Sequence, residues 1–445
     1  MPTHEKHDTH QKALFLNLDV TIFGSFAEIG AGQEVARWFL RVGGASGTVA
    51  KTISAYDKEV SDHLYGMGTR YVSKPRLLAM LNSEWEQLLG QLQASRGTDT
   101  KFFSFVDTIS ARNYAGTNDC HGWVGLRFRT QPNAAPNDVI LHVNLRDSSN
   151  VQQQEAVGIL GVNLIYAAYH AAGSVEEFLT SAFEDLGLQR VEIDCVESKG
   201  PAFESWDRNQ LHAFLVAGGY AEAVVFPANN QFVPSNELLY KQALVLAPGR
   251  FDNVGQLHAN LVQDTLAQLP EEDVEESRGG LGLFCLSVGG PNGGPNGGRI
   301  EVPVKEIVEH VEALHKLGYG VMLFRAGELY TMSAYVNRYT KSRIHFAIGL
   351  TVLARVFEDR YKDLAGSLLE RIARLFTQNV RVCVYPMSAE NVQRRVKVAG
   401  LTGWTWKETN GMVTADNLHP SGPLESLYQY LLSSKFILPG KPGKR

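Results

Sequence analysis

The chain has 445 residues, of which 44% are hydrophobic and 20% charged, and its net charge is -5. That length admits two or three compact domains, and the composition excludes wholesale disorder and fibrous architectures. The small net charge, with Lys and Arg dispersed along the chain, excludes nucleic acid as the main partner. No apolar run approaches the roughly eighteen residues needed to cross a bilayer, so no membrane partner is expected. The polar start "MPTHEKHDTHQK" has no apolar signal core and points to the cytoplasm.

In chain order, residues 1–12, with His4, His7 and His10, read as a mobile tail. Residues 13–100 read as a mainly helical, glycine-rich block: Val35, Phe39 and Val42 recur at helical spacing, and "KPRLLAMLNSEWEQLLGQLQ" continues the pattern. Residues 101–174 read as a mixed sheet plus a buried helix, from "KFFSFVDTISA", "GWVGLRFRT" and "DVILHVNLR" followed by the apolar "NVQQQEAVGILGVNLIYAAYHA". From 175 to 445, helical and strand patterns alternate, which predicts parallel strands with crossover helices and a flexible loop at 289–299, "GGPNGGPNGGR". The expected fold is α/β: a helical N-terminal block, a central mixed sheet and a C-terminal, mostly parallel sheet flanked by helices, with a barrel-like C-terminal section as the alternative.

Cys195, Cys285 and Cys383 lie in apolar strand-like runs and Cys120 among polar residues, a pattern that fits neither a disulfide framework nor a zinc site. Three stretches imitate nucleotide or phosphate chemistry. "GSFAEIGAGQE" resembles the motif of nicotinate-nucleotide adenylyltransferases, but Gly30 and Gln33 stand where its two histidines would contact the triphosphate. Neither can supply a cationic donor to the departing pyrophosphate. "LFLNLDVT" resembles the first motif of haloacid-dehalogenase-like phosphatases, with Asn17 in place of the nucleophilic carboxylate, and an amide forms no acyl phosphate. "GGASGTVAKT" lacks a glycine before Lys51 and is not a phosphate-binding P-loop.

Candidate site residues remain in three places. Between 28 and 57, two glycine clusters that include Gly30, Gly32 and Gly44 accompany Glu28, Gln33, Glu34, Arg37 and Lys51, with a helix start near Gln33. Glycines admit close backbone approach and a helix start offers free N–H groups. Glu28 and Glu34 would repel an anion there unless a cation intervened, so Mg²⁺ is the one cofactor the region suggests. In "GTNDCHGW", Cys120 and His121 are the components of a thiol nucleophile and base, with Asp107 available to orient one of them. On the apolar helix, Glu155 and the stripe Asn163, Tyr166 and His170 need polar partners or line a pocket. Farther on, Asp194, Glu197 and Arg325 stand near strand ends where open parallel sheets bind ligands, and Arg338, Lys341 and Arg343 follow. With Glu28, Cys120, His121 and Glu155 as the catalytic candidates, the expected function is an enzyme acting on a small polar or nucleotide-like metabolite. The alternative is a non-catalytic scaffold or regulator whose polar clusters stabilise a homo-oligomer, with nucleotidyl transfer of the nicotinate-nucleotide adenylyltransferase type as a minor alternative.

The blocks "FAEIGAGQEVAR", "GGASGTVAKTISAYD", "CHGWVGLRF", "QQEAVGILGVNLIYAA" and "RYTK" extend a resemblance over nearly the whole chain to a bacterial family of similar length. Its members carry two names, nicotinate-nucleotide adenylyltransferase and TonB-dependent receptor. The first matches the incomplete motif above, and the second implies an outer-membrane barrel that no segment here resembles. The resemblance carries no assigned reaction or catalytic residue.

Overall fold

The computed structural model describes residues 6–68, 70–229, 231–251, 253–288, 303–358, 367–399 and 403–442. They fall into two compact units, Met1–Ala221 and Glu222–Arg445. Among the described residues no helix is long and apolar enough to cross a membrane.

The first unit opens with α1 (Thr9–Leu18), whose start is fixed by a reciprocal cap: the Asp8 carboxylate accepts from the Gln11 amide at 2.7 Å, and the Gln11 side chain accepts from the Asp8 amide at 3.0 Å. Residues 9–12 are therefore helix rather than mobile tail, and Lys12 is fully buried; His4 lies outside the described residues. Next come β1 (Ile22–Ile29), α2 (Gln33–Val42), β2 (Val49–Ser54), α3 (Lys58–Tyr65) and α4 (Lys74–Arg96). The block expected to be mainly helical thus contains two strands. The rest of the unit is β3 (Lys101–Ser110), β4 (His121–Phe128), β5 (Asn137–Leu145), α5 (Asn150–His170), α6 (Val175–Ala182), β6 (Val191–Lys199) and α7 (Arg208–Ala217).

Its six strands run in the order β2-β1-β3-β4-β5-β6. β1 is parallel to both neighbours, and every pair from β3 to β6 is antiparallel. Residues 175–221 consequently belong to this unit, and the boundary lies after Ala221, not after residue 174 as the sequence suggested. Side chains alternate across a strand, so Phe26, Glu28, Phe105 and Asp107 share one face. There Phe26 packs on Phe39 of α2, with ring centroids 5.1 Å apart. Ala27, Val106 and Trp123 face the other way, onto Leu77, Met80 and Leu81 of α4. Burial of each such side chain contributes about 1.5–3 kcal/mol.

The second unit contains β7 (Ala223–Phe226), β8 (Ala243–Pro248), β9 (Gly280–Ser287), β10 (Gly320–Phe324), β11 (Ile344–Gly349) and β12 (Val380–Tyr385). Two short antiparallel ribbons pair β13 (Met387–Ser388) with β15 (Met412–Val413) and β14 (Trp404–Trp406) with β16 (Leu418–Pro420). The last strand is β17 (Ile437–Pro439). The main sheet has the order β17-β12-β11-β8-β9-β10-β7, parallel except where β7 meets β10. Its strands read as continuous apolar runs because both faces are covered. The sheet is open, ending at β17 and β7, so the barrel alternative does not hold. Counted from β8, its six parallel strands follow the order 3-2-1-4-5-6, reversing direction between β8 and β11. The expected flexible loop at 289–299 lies outside the described residues.

Candidate functional site

Parallel pairing places Glu28 of β1 beside Asp107 of β3 and Ser54 of β2 at the C-terminal ends of three adjacent strands. The chain then turns through Gly30, at φ 112°, into Gly32, the N-cap of α2. This turn explains its glycines. A Cβ on Gly30 would fall 1.9 Å from the Ile109 carbonyl oxygen, and one on Gly32 would fall 1.7 Å from Asp107 Oδ2. The start of α2 is thereby pressed onto the Asp107 carboxyl group. Asp107 is fully buried and Glu28 is 5% exposed.

None of the four carboxylate oxygens of this pair has a hydrogen-bond partner among the described residues. Burial pushes Asp107 well above the usual carboxylate range, and the neighbouring charge of Glu28 adds to the rise. Burial likewise raises Glu28, against the opposing influence of Ser54, the Gly32 and Gly30 amides and the Gln33 side chain, which face it without hydrogen bonds of good geometry. Asp107 thus disfavours ionisation both through burial and through its acidic neighbour Glu28. Such a dyad can donate and accept protons. As a Mg²⁺ site it is poorly suited, because a hard cation wants several ionised oxygens, whereas this environment favours the protonated form.

Glu28, Gly30, Gly32, Gln33 and Asp107 thus come together, and the other candidates do not join them. Arg37 is exposed and pairs with Glu34 of its own helix at 2.9 Å. Lys51 points to the opposite face of the sheet, where it neutralises buried Glu84 at 2.7 Å; Tyr65 donates to the same carboxylate at 2.9 Å. Gly44 caps the short 3₁₀ turn Ala45–Gly47. Glu155 is exposed and pairs with Arg190 at 3.1 Å. The Cys120 thiol is 3.6 Å from the Asn118 carbonyl oxygen rather than against His121. Asn163 is held by Lys12 at 3.1 Å and by the Glu184 carbonyl at 2.7 Å, a satisfied core contact. Glu197 pairs with Lys74 at 2.5 Å. In the second unit, Lys341 and Arg343 border a cleft of about 650 Å³ with Tyr240 and Asn379. That cleft lies where β8, β11 and β12 begin, the end opposite to Arg325. Arg343 is already paired with Asp273 at 3.0 Å, and Arg338 with Glu222 at 2.7 Å.

His121 has a different orienting partner from the one expected. Its Nδ1 lies 3.1 Å from His142 Nε2, and His142 Nδ1 lies 2.6 Å from Asp194 Oδ1. The pairing of β5 with β6 slips at His142/Val143, leaving Asp194 as the extra residue that reaches the imidazole. Asp107 plays no part, because it points to the other face. In the sequence this hydrogen-bonded series is signalled only by His142, a lone imidazole in the apolar run "VILHVNL".

The arrangement therefore defines a mixed α/β protein with a buried carboxylate dyad at the end of one sheet and a doubly wound second sheet. No protein-family model matches the chain, and no curated protein matches it. Solved structures with partial likeness are competence- or damage-inducible proteins. CihA from Agrobacterium tumefaciens is 20% identical, with 36% of this chain and 96% of that one covered, at a TM-score of 0.27. A protein from Enterobacter asburiae is 14% identical, with 37% and 99% covered, at a TM-score of 0.25. A member of the competence-damaged protein (CinA) superfamily from Enterobacter cloacae is 14% identical, with 38% and 99% covered, at 0.26.

Proposed function

We propose that the protein is a cytoplasmic enzyme acting on a small polar metabolite, with Glu28 and Asp107 as the acid–base pair of its first unit. The observation that carries this reading is a register-matched pair of buried carboxyl groups, of which Asp107 has no hydrogen-bond partner among the described residues and Glu28 none of good geometry. Core packing gains nothing from such groups, since an unsatisfied buried polar atom costs about 1–3 kcal/mol. A ligand offering donors would recover that cost. Strain and desolvation tolerated at one place in a fold are a mark of binding and catalytic sites. The test is a thermal-shift screen of the full chain against polar metabolites. A compound that raises the melting temperature of the wild type but not of Glu28→Gln supports the reading. It fails if no compound shifts the wild type, or if the shifts survive both Glu28→Gln and Asp107→Asn.

A second reading, nucleotide binding by the second unit, is favoured by the 3-2-1-4-5-6 strand order. Open α/β sheets take ligands where the strand order reverses, here beyond Pro248 and Gly349. The turn after β8, "PGRFDNVG", lacks the Gly-x-Gly-x-x-Gly spacing of dinucleotide sites, so the reading rests on topology, an analogy at the level of fold. Hydrogen exchange with and without ATP or NAD tests it. Protection confined to residues 248–256 and 349–352 supports it, and unchanged exchange there refutes it.

A further inference from the structure

Of Arg338, Lys341 and Arg343, the first is paired with Glu222 at 2.7 Å, and the other two border the cleft of about 650 Å³ where β8, β11 and β12 begin. That volume falls within the range of small-molecule sites, and cross-links hold its floor in place. The Leu244 amide donates to the Arg343 carbonyl at 2.8 Å and the Ile344 amide to the Asn379 carbonyl at 3.0 Å. The Thr340 hydroxyl donates to the Gln242 carbonyl at 2.9 Å, and the Asn379 side chain donates to the Asn337 side chain and to the Ser342 carbonyl, each at 3.0 Å. Lys341 is therefore held between two pinned neighbours, and Lys241 stands next to a third.

The fold leaves the cations of this cleft with donors to offer. Lys241 makes no hydrogen bond or ion pair among the described residues, and its ammonium lies 5.4 Å from the centroid of the Tyr240 ring. Lys341 donates to the Asn337 carbonyl and has no carboxylate partner among the described residues. An ammonium has three donors, so two of its N–H groups remain. Arg343 gives Nε and Nη2 to Asp273 and keeps Nη1. Against these three cations the lining sets two carboxylates, Asp273 and Glu276, in a chain whose net charge is -5. Two aromatic rings complete the lining. Tyr240 is 52% exposed, and Tyr339 packs edge-on against buried Tyr335, with ring centroids 5.2 Å apart.

We propose that this cleft binds a free phosphomonoester whose body carries a flat ring. The phosphoryl oxygens accept from Lys241 and Lys341 in charge-assisted hydrogen bonds, and a dianion answers both ammonium groups where a single carboxylate answers one. The ring lies against Tyr240 in offset or edge-on contact. Glu276 is the acceptor for a hydroxyl or amino group on the ligand body. The cleft is at the end of the sheet opposite to the strand-order reversal, so it is independent of the nucleotide reading above.

The full chain is titrated with phenyl phosphate and with inorganic phosphate in thermal-shift assays, and the site is located by hydrogen exchange. Phenyl phosphate should give a saturable rise in melting temperature and protect residues 240–242 and 339–343, with no protection at Pro248 or Gly349. Inorganic phosphate should bind about three- to tenfold more weakly, the share of the ring. Lys241→Gln should weaken phenyl phosphate binding about tenfold without changing the melting temperature of the unliganded chain, and Lys341→Gln should weaken it similarly. Tyr240→Ala should bring phenyl phosphate down to the affinity of inorganic phosphate. If Lys341→Gln destabilises the unliganded chain through loss of its contact with Asn337, Lys241→Gln decides alone. The proposal is overturned if phenyl phosphate gives no saturable shift, if Lys241→Gln binds it unchanged, or if protection falls outside these segments. It is equally overturned if inorganic phosphate binds as tightly, or if a phosphotyrosine peptide binds more tightly than phenyl phosphate, which would make the partner a protein.

Discussion

Replacing Asp107 with Asn converts the most deeply buried acid of the dyad into a neutral group of the same shape. Because burial and Glu28 raise the Asp107 pKa above its unfolded value, the folded chain holds a proton that the unfolded chain releases. The stability contribution is fully present below the unfolded pKa, near 3.9, and is lost as pH rises through the folded pKa. Between those two values the wild type should lose about 1.4 kcal/mol per pH unit from this group. Asp107→Asn lacks that slope, so its advantage over the wild type should grow by the same amount per unit above about pH 4. The Asn amide also needs partners, but that cost does not vary with pH and shifts the difference curve without tilting it. Urea unfolding followed by tryptophan fluorescence at half-unit pH intervals gives the difference directly. Parallel stability curves for the two proteins from pH 4.5 to 8 would refute the buried, proton-holding state of Asp107.

Lys12→Ala should destabilise the chain by about 3–5 kcal/mol in denaturant unfolding, because it removes a fully buried ammonium 2.6 Å from the Glu184 carboxylate. Arg37→Ala should change stability by no more than about 0.5 kcal/mol, since its partner lies on the same exposed helix face. Gly32→Ala should cost about 1–3 kcal/mol through overpacking against Asp107, with part of the loss recovered in a Gly32→Ala/Asp107→Ala double variant in the same assay. His212 is buried and its pKa is lowered to about 4, so stability should fall as pH drops from 6.5 towards 4; in His212→Gln, pH-dependent unfolding should show a shallower acid limb.

The regular half of the first unit was legible in the sequence. β3, β4, β5 and α5 each lie within two residues of the segments read from alternation and apolar content. β2 was missed because "VAKTIS" is short and sits between glycine clusters that invited a ligand reading, although its alternating exposure is that of an edge strand. The direction of β6 was misjudged for a different reason. A helix before a strand does not fix parallel pairing when two successive helices, α5 and α6, carry the chain back. The candidate site was half legible. Glycines at 30 and 32 announce a tight approach, and Glu28 follows them into the site by register. Asp107 joins through pairing with a strand about eighty positions away, and Asp194 reaches His142 only because of a bulge. Neither relation leaves a periodic trace. Lys51 misled because the partner that neutralises it, Glu84, lies on another element.

The position of β1 between β2 and β3 also bears on how the first unit assembles. β3, β4 and β5 are joined by successive hairpin connections, so their contacts close short loops and can form early. β1 meets β3 only after the segment holding α2, β2, α3 and α4 has been looped out between them. Loop-closure entropy therefore predicts that the β1–β3 pairing, and with it the dyad, forms late, with Glu28 arriving beside an Asp107 already placed by the hairpin half. An intermediate with β3 to β5 formed and β1 detached would leave Asp107 hydrated and ionised. Docking of β1 would then be accompanied by proton uptake, making the final folding step of this unit faster in mildly acidic solution than at alkaline pH.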